Sequence, residues 1–320
     1  MFKRLVTVAS ALTLVAAAAA GCGSDSGSGG TTLGFSQVGA ESGWRTANTQ
    51  SIQESAKQAG IDLKFADAQQ KQENQIKAIR SFIQQRVDVI AFSPVVQSGW
   101  DTVLKEAKDA KIPVILTDRA VDSADTSLYV TFLGSDFVTE GKKAAQWVID
   151  SYKGGNETVN IAELQGTTGS APAIDRKKGF FDLISADPKF KVVASQTGDF
   201  TRAKGKEVMQ AFLASNQKID VLFAHNDDMA LGAIQAIEEA GLKPGKDIKI
   251  VSIDGVRDAL QALVDGKKNF VVECNPLLGP QLMELVEKVA AGAPVEHRIV
   301  TAETTFTPEQ AAAALPSRKY

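Results

Sequence analysis

Short apolar runs and amphipathic helical windows alternate along this chain, and the alternation happens twice. Runs near residues 33–36, 62–66, 88–92, 113–117 and 128–132 come first, then runs near 159–163, 191–195, 220–224, 249–253 and 269–273. Most hold several consecutive apolar residues rather than one at every second position, the mark of strands buried on both faces. Windows between them, such as 44–59, 72–86, 137–151, 201–214 and 228–240, carry apolar residues at helical spacing. Gly60, Gly154 and Gly241 stand where helix C-caps are expected. This rhythm predicts an α/β fold in which a parallel sheet is covered by helices on both faces. The chain after residue 32, roughly 290 residues, is longer than one core usually serves, so two such lobes are expected. The halves share no close sequence repeat; the duplication is one of architecture.

Polar residues gather where the strands end. After the first run comes "SQVGAESGWR", after the second "ADAQQ", after the third "SPVV" and after the fourth "TDR". In the second half the corresponding stretches are "ELQG", "SQTGDF", "AHNDD" and "SIDG". Open α/β sheets place their ligand crevice at the carboxyl ends of the strands. Two lobes facing each other would close these loops around one small molecule. The residue types suit a sugar: carboxylates and guanidinium forks match hydroxyls through charge-assisted hydrogen bonds, and a flat indole matches a C–H face.

The tracts "FSQVGAESGWRTA", "DAQQKQENQIKAIRSFI", "DRAVD", "ELQGTTGSAPAIDRKKGF", "GDFTRAKGKEVM", "AHNDDMALGAIQAIEEAGLKPGKDI" and "SIDG" carry a family resemblance. From about residue 33 almost to the C-terminus, the chain resembles the periplasmic-type sugar-binding proteins of ABC importers, in the ribose- and galactose-binding cluster and nearest its galactofuranose-binding members. The resemblance implies a type I periplasmic binding protein fold, two Rossmann-like lobes joined by three crossing segments that act as a hinge. The crossings are expected near 132–135, 272–276 and 303–306. One lobe would then comprise 33–133 and 275–304, the other 134–274 and 305–320. The resemblance also implies a monosaccharide ligand, a galactofuranose or related aldose, and a transmembrane permease as partner to a monomeric protein. A receptor or sensor kinase in place of the permease is the alternative.

On the first lobe the candidate ligand residues are Glu41, Trp44, Arg45, Asp118 and Arg119. Trp44 would be a stacking platform rather than a staple at a helix start, and Asp118-Arg119 matches the family's sugar-gripping pair. Glu41 either reads a side arm of the ligand or is a loop charge. On the second lobe the candidates are Asp175, Arg176, Phe200, Asn226 and Asp254. Asp175 also has a structural role open to it, as an acid near a helix N-terminus. Asp227 and Asp228 read as structural, with Asp227 an N-cap. Glu273 shares a crossing with Cys274 and Asn275; strand alternation puts 273 and 275 on one side, and the sequence leaves open which side faces the ligand. Trp44→Ala and Asp118→Ala are expected to abolish tight binding with the fold intact.

The chain begins with Lys3 and Arg4, an apolar stretch from Leu5 to Ala20, and Gly21-Cys22. That is the layout of a bacterial lipoprotein signal, with Cys22 as the acylation site. The polar stretch "GSDSGSGG" that follows would tether a folded domain to the membrane surface, so the tether is expected over 23–32. The other cysteine, Cys274, then has no partner, which excludes a disulfide framework. With 35 basic and 38 acidic residues, no excess of positive charge recommends nucleic acid. Only two histidines, His225 and His297, are available, so a metal site or a histidine relay has little material. There is no G-x-S-x-G elbow, and the glycines of 27–30 precede the first strand, which argues against a dinucleotide cofactor. No cofactor and no catalysis are expected; a sugar-processing enzyme is the weakest alternative. A DNA-binding headpiece, required for a sugar-responsive repressor of this fold, has no room before the first strand.

Overall fold

The computed structural model describes residues 30–320; Cys22, the signal and most of the tether lie outside them. The chain enters a parallel sheet at β1 (Thr32–Gln37), one residue inside the expected tether. It then alternates through α1 (Gly43–Ala59), β2 (Asp62–Asp67), α2 (Gln72–Gln85), β3 (Val89–Phe92), α3 (Asp101–Asp109), β4 (Val114–Thr117) and β5 (Thr131–Gly134). The fifth strand starts later than its apolar run. The Asp125 side chain accepts from Ser127 N–H and turns residues 126–128 into a short 3₁₀ segment that buries Leu128.

The second half repeats the order. It runs α4 (Phe137–Ser151), β6 (Val159–Gln165), α5 (Ala171–Ile184), β7 (Phe190–Thr197), α6 (Arg202–Ala214), β8 (Val221–Ala224), α7 (Asp227–Glu239), β9 (Lys249–Asp254), α8 (Arg257–Val264) and β10 (Phe270–Glu273). The tail adds α9 (Gly279–Ala290), β11 (Arg298–Val300), β12 (Thr305–Phe306) and α10 (Pro308–Ala314). Two six-stranded sheets result, in the orders β11-β5-β4-β3-β1-β2 and β12-β10-β9-β8-β6-β7. Every pairing is parallel except β10 with β12. In both sheets the strand order reverses direction at the first strand of the half, which opens a crevice at the carboxyl ends.

Each sheet is sandwiched between two apolar layers, which is why its central strands, such as β3, β4 and β8, are buried along their whole length. In the first lobe one layer joins Ile52 of α1 to Leu282 and Val286 of α9, and the other joins Ile79 and Phe82 of α2 to Leu104 of α3. In the second, Val148 and Phe180 lie under one face and Val208, Met209 and Ile237 under the other. The chain passes between the sheets three times, after β5, after β10 and between β11 and β12. Ser135, Cys274 and Thr301 stand on these three crossings, and the Ser135 hydroxyl lies 3.4 Å from both the Cys274 sulfur and the Thr301 hydroxyl.

Candidate functional site

The strand ends of the two sheets face each other across a cleft lined by residues of both lobes. Nine of the eleven candidate ligand residues line it: Glu41, Trp44, Arg45, Asp118, Arg119, Arg176, Phe200, Asn226 and Asp254. Ser42 and Pro172, neither a candidate from the sequence, complete the lining together with Cys274, which the sequence left open against Glu273 and Asn275.

The first-lobe wall is a lattice of charge. Ser42 caps α1 by accepting from Arg45 N–H, which fixes Arg45 in the first helical turn. From there its guanidinium reaches Asp118 at 2.7 Å, Glu41 at 3.1 Å and the Gln37 side-chain oxygen at 3.2 Å. Burial opposes its charge, but Asp118 and Glu41 more than compensate and raise its pKa. Asp118 also accepts from the Ser93 hydroxyl at 2.8 Å and has φ 63°, a left-handed backbone rare outside glycine. Arg119 donates to the Val95 carbonyl at 3.1 Å. Burial and the neighbouring Arg45 hold its pKa down to about 10. Two buried polar atoms here, Glu41 Oε2 and Arg119 Nε, have no hydrogen-bond partner among the described residues. One is an acceptor and the other a donor, the pair of functions that a hydroxyl-bearing ligand satisfies.

The second-lobe wall is held by the scaffold instead. Arg176 donates to the His225 carbonyl at 2.6 Å and to Glu140 at 2.7 Å, with Asp254 at 3.8 Å. Glu140 reaches it because α4 and α5 touch at glycines: a Cβ on Gly141 would stand 2.2 Å from the Arg176 carbonyl oxygen. His225 is buried, and its Nε2 lies 3.0 Å from Glu163. Burial lowers the His225 pKa, so the ring is a neutral donor to Glu163. Burial of Glu163 works against its ionisation, yet His225, Ser195 and Lys177 together hold its carboxyl down at about 2. His225 is thus a satisfied strand-end histidine that presents its carbonyl to Arg176.

Phe200 and Asp254 both have positive φ, 61° and 127°. Backbone strain of about 1–3 kcal/mol per residue is tolerated only where surroundings impose it. Phe200 is fixed by its ring, packed so closely that a Cβ on Gly166 would lie 1.9 Å from it, and by its carbonyl, which accepts from Asn226 Nδ2 at 3.0 Å. Asp254 is fixed by Asp227, whose carboxylate accepts from Gly255 N–H at 2.6 Å and Val256 N–H at 2.9 Å and pairs with the buried Lys268. The N-cap of α7 is Asn226, accepting from Met229 N–H at 3.0 Å, and not Asp227 as the sequence suggested. The cap falls one residue earlier because Asp227 is committed to the β9 exit.

Two candidates stand outside the cleft. Glu273 turns to the C-terminal tail, where it accepts from Arg318 at 2.6 Å and from the Tyr320 hydroxyl at 3.1 Å. Of the three residues on this crossing, it is Cys274 that lines the cleft. Asp175 is half-buried on α5 beside Asp136 and Arg298, and burial together with Asp136 raises its pKa. Neighbours one residue apart on a helix point about 100° apart, so Arg176 faces the cleft and Asp175 the rim.

The lobes touch across the cleft mouth. Gly43 N–H donates to Asp228 at 2.8 Å, Gln97 N–H donates to the Gly169 carbonyl at 2.9 Å, and the Arg119 guanidinium lies 5.4 Å from the Phe200 ring centre. Trp44 belongs to this junction as well as to the lining: its indole N–H donates to the Cys274 carbonyl at 2.7 Å, and its ring packs with second-lobe core residues. The sequence reading of Trp44 as dispensable to the core is therefore corrected.

A family described as "periplasmic binding protein domain" matches residues 33–294. The chain belongs to the periplasmic binding protein family. It is 51% identical to the galactofuranose-binding protein YtfQ of Escherichia coli (strain K12), over 90% of this chain and 91% of that one. A crystal structure from Mycobacterium smegmatis in complex with β-D-fucofuranose is 65% identical and superposes with a TM-score of 0.89, covering 91% of this chain and 95% of that chain. The periplasmic binding component of the arabinose ABC transporter of Shewanella sp. ANA-3, bound to α- and β-L-arabinofuranose, is 54% identical with a TM-score of 0.86, covering 90% and 96%.

Proposed function

We propose that this protein captures a monosaccharide in its furanose form between the two lobes and delivers it to the permease of an ABC importer. The observation that carries the reading is the composition of the cleft. Three buried guanidiniums, Arg45, Arg119 and Arg176, interleave with the carboxylates of Glu41, Asp118 and Asp254 around an unpartnered donor and an unpartnered acceptor. Glu41 joins Asp118 against the arginines, so the excess of positive charge that would favour an acidic sugar is offset. The ligands named for the relatives, galactofuranose, β-D-fucofuranose and L-arabinofuranose, point to the five-membered ring.

In this account sugar binds one wall first and the second wall completes its hydrogen bonds, so the ligand favours the closed arrangement by its differential affinity. A wrong sugar leaves buried polar groups unpaired, at about 1–3 kcal/mol each. The protein acts as an exported monomer held to the membrane by lipid on Cys22. Relatives that bind rather than transform their sugars support a binding role over a catalytic one.

The test is isothermal titration calorimetry after partial unfolding and refolding to remove carried-over ligand, against galactofuranose, galactopyranose, arabinose, ribose and galacturonate. Tight binding restricted to furanose-capable neutral sugars supports the reading. Binding of galacturonate alone overturns the neutral-ligand assignment, and no heat with any sugar overturns the sugar class itself.

A further inference from the structure

Glu140 drew no attention in the sequence, because an acid in the first turn of a helix reads as a solvated charge. It is the fourth residue of α4 and 1% exposed. Its Oε2 accepts from Arg176 Nε at 2.7 Å, whereas Oε1 has no hydrogen-bond partner among the described residues. Facing it is Glu303, on the third crossing between the lobes. One oxygen of each carboxyl and the Cys274 sulfur lie within 4.8 Å of one another. Oε1 of Glu303 gathers the hinge: it accepts from the Ser135 hydroxyl of the first crossing, from Asn275 N–H of the second at 3.2 Å and from the Thr301 hydroxyl of the third at 3.0 Å.

With Glu140 buried, Glu303 half-buried and an oxygen of each within 4.8 Å of the other, ionising both carboxyls carries a cost. A single proton resolves the arrangement. Placed on Glu140 Oε1, it makes that oxygen a donor to Glu303 and leaves Oε2 as the acceptor for Arg176, so the unpartnered atom is satisfied. A bound cation fits less well, because Arg176 already supplies positive charge to the same carboxyl and burial keeps the Cys274 thiol protonated. We propose that Glu140 is a positioning residue of the ligand site, donating a shared proton to Glu303 across the hinge while its other oxygen holds the Arg176 guanidinium.

The groups around Glu140 come from several elements. Arg176 faces it from α5, Asp254 from the end of β9, Cys274 from the second crossing and Glu303 from the third. On α4 itself, Lys143 donates to the Glu303 carbonyl at 3.1 Å. Burial pushes the Glu140 carboxyl up to about 8 and Glu303 adds to the rise, with Arg176 opposing. Burial also raises Glu303. An acid raised on folding contributes stability that is fully present below its ordinary carboxylate range and is lost as pH rises through the folded value. The window for Glu140 therefore runs from its ordinary value near 4.5 up to about pH 8, above which the curve levels.

The proposal rests on the reading of the cleft as a sugar site, and the two are tested separately. L-Arabinose is titrated into the full protein by calorimetry between pH 6.5 and 9.5, with thermal unfolding followed over the same range. Binding at pH 6.5 concerns the sugar reading alone. We expect wild-type affinity to fall about tenfold across the range, as a contact worth one pKa unit would impose, and the profile of Glu140→Gln to be flat. The Gln amide supplies the same donor and acceptor and cannot ionise. Glu303→Gln should move the wild-type fall to lower pH, because the like charge that holds the proton is gone. Thermal unfolding needs no sugar: wild type should lose stability relative to Glu140→Gln as pH rises from 6.5 toward 8, and the difference should level above 8. Parallel unfolding curves for the two proteins, or a pH profile for affinity that is the same in both, would overturn the proposal.

Discussion

The two walls of the cleft hold their side chains by different means. On the first lobe, Glu41, Arg45, Asp118 and Arg119 brace one another, charge against charge, with Ser93 and Gln37 behind them. On the second, each lining residue has a second task in the scaffold: Asn226 caps α7, Phe200 fills the space above Gly166, and Arg176 ties α5 to α4 and to the end of β8. A change on the first wall strands a buried charge, whereas a change on the second loosens an element. The comparison predicts that affinity and stability separate on the first wall less cleanly than the sequence suggests, and on the second hardly at all.

The largest effect is expected from Asp118→Ala, which leaves the Arg45 guanidinium buried without its nearest partner. Breaking such a pair costs about 3–5 kcal/mol. Calorimetry should find affinity reduced by at least about 100-fold, near 2.7 kcal/mol, and thermal unfolding should move well below wild type. An unchanged melting temperature would show that the charged lattice does not brace the wall. Trp44→Ala should come next, costing about 3–5 kcal/mol of stability as a buried aromatic lost from the junction. Trp44→Phe, which keeps one aromatic ring but gives up the rest of the indole and its bond to Cys274, should cost less, about 1–3 kcal/mol.

Asn226→Ala is the corresponding test of the second wall. Losing the α7 cap should lower stability by about 1–2 kcal/mol, visible in denaturant unfolding, and affinity should fall with it. If affinity fell with no change in stability, the wall would be less tied to the scaffold than the geometry indicates. The smallest effect on affinity is expected from Glu273→Ala. The pair it makes with Arg318 is largely shielded, at 13% and 10% exposed, but Glu273 stands outside the cleft, so the loss falls on stability and sugar affinity should remain within about threefold of wild type. A larger loss of affinity would return Glu273 to the site.

How these residues were legible in the sequence follows from how they are placed. Asp118 and Asp254 close strands that read as apolar runs, and the rule that α/β ligands gather at strand ends finds them directly. Arg45 and Arg176 sit within the first two turns of helices that follow such strands, and there family resemblance was needed to separate them from Asp175, Lys177 and Lys178. Cys274 was left open against Glu273 and Asn275 because a β-strand alternation fixes which residues share a side, and only the opposing sheet decides which side is the cleft. Glu140 escaped for another reason. Its role depends on Gly141 and Gly179 bringing two helices into contact, and no local pattern in the sequence marks a contact between helices more than 30 residues apart.

The fold was legible wherever an apolar run ended at a helix. It was less so at the fifth strand, where the Asp125 turn took Leu128 out of the strand. The short edge strands β11 and β12 carry few apolar residues and gave no such signal; tertiary pairing with β5 and β10 makes them strands.

The central claim is that one ligand is held by both walls at once. It is tested most directly by titrating the best-bound furanose sugar into wild type, Arg119→Met and Asp254→Asn, one substitution on each wall. The account predicts one site per chain in the wild type and affinity reduced by at least about 30-fold, or about 2 kcal/mol, in each variant, with both still unfolding cooperatively. Wild-type affinity in either variant would contradict it, because the ligand would then be held by one lobe alone.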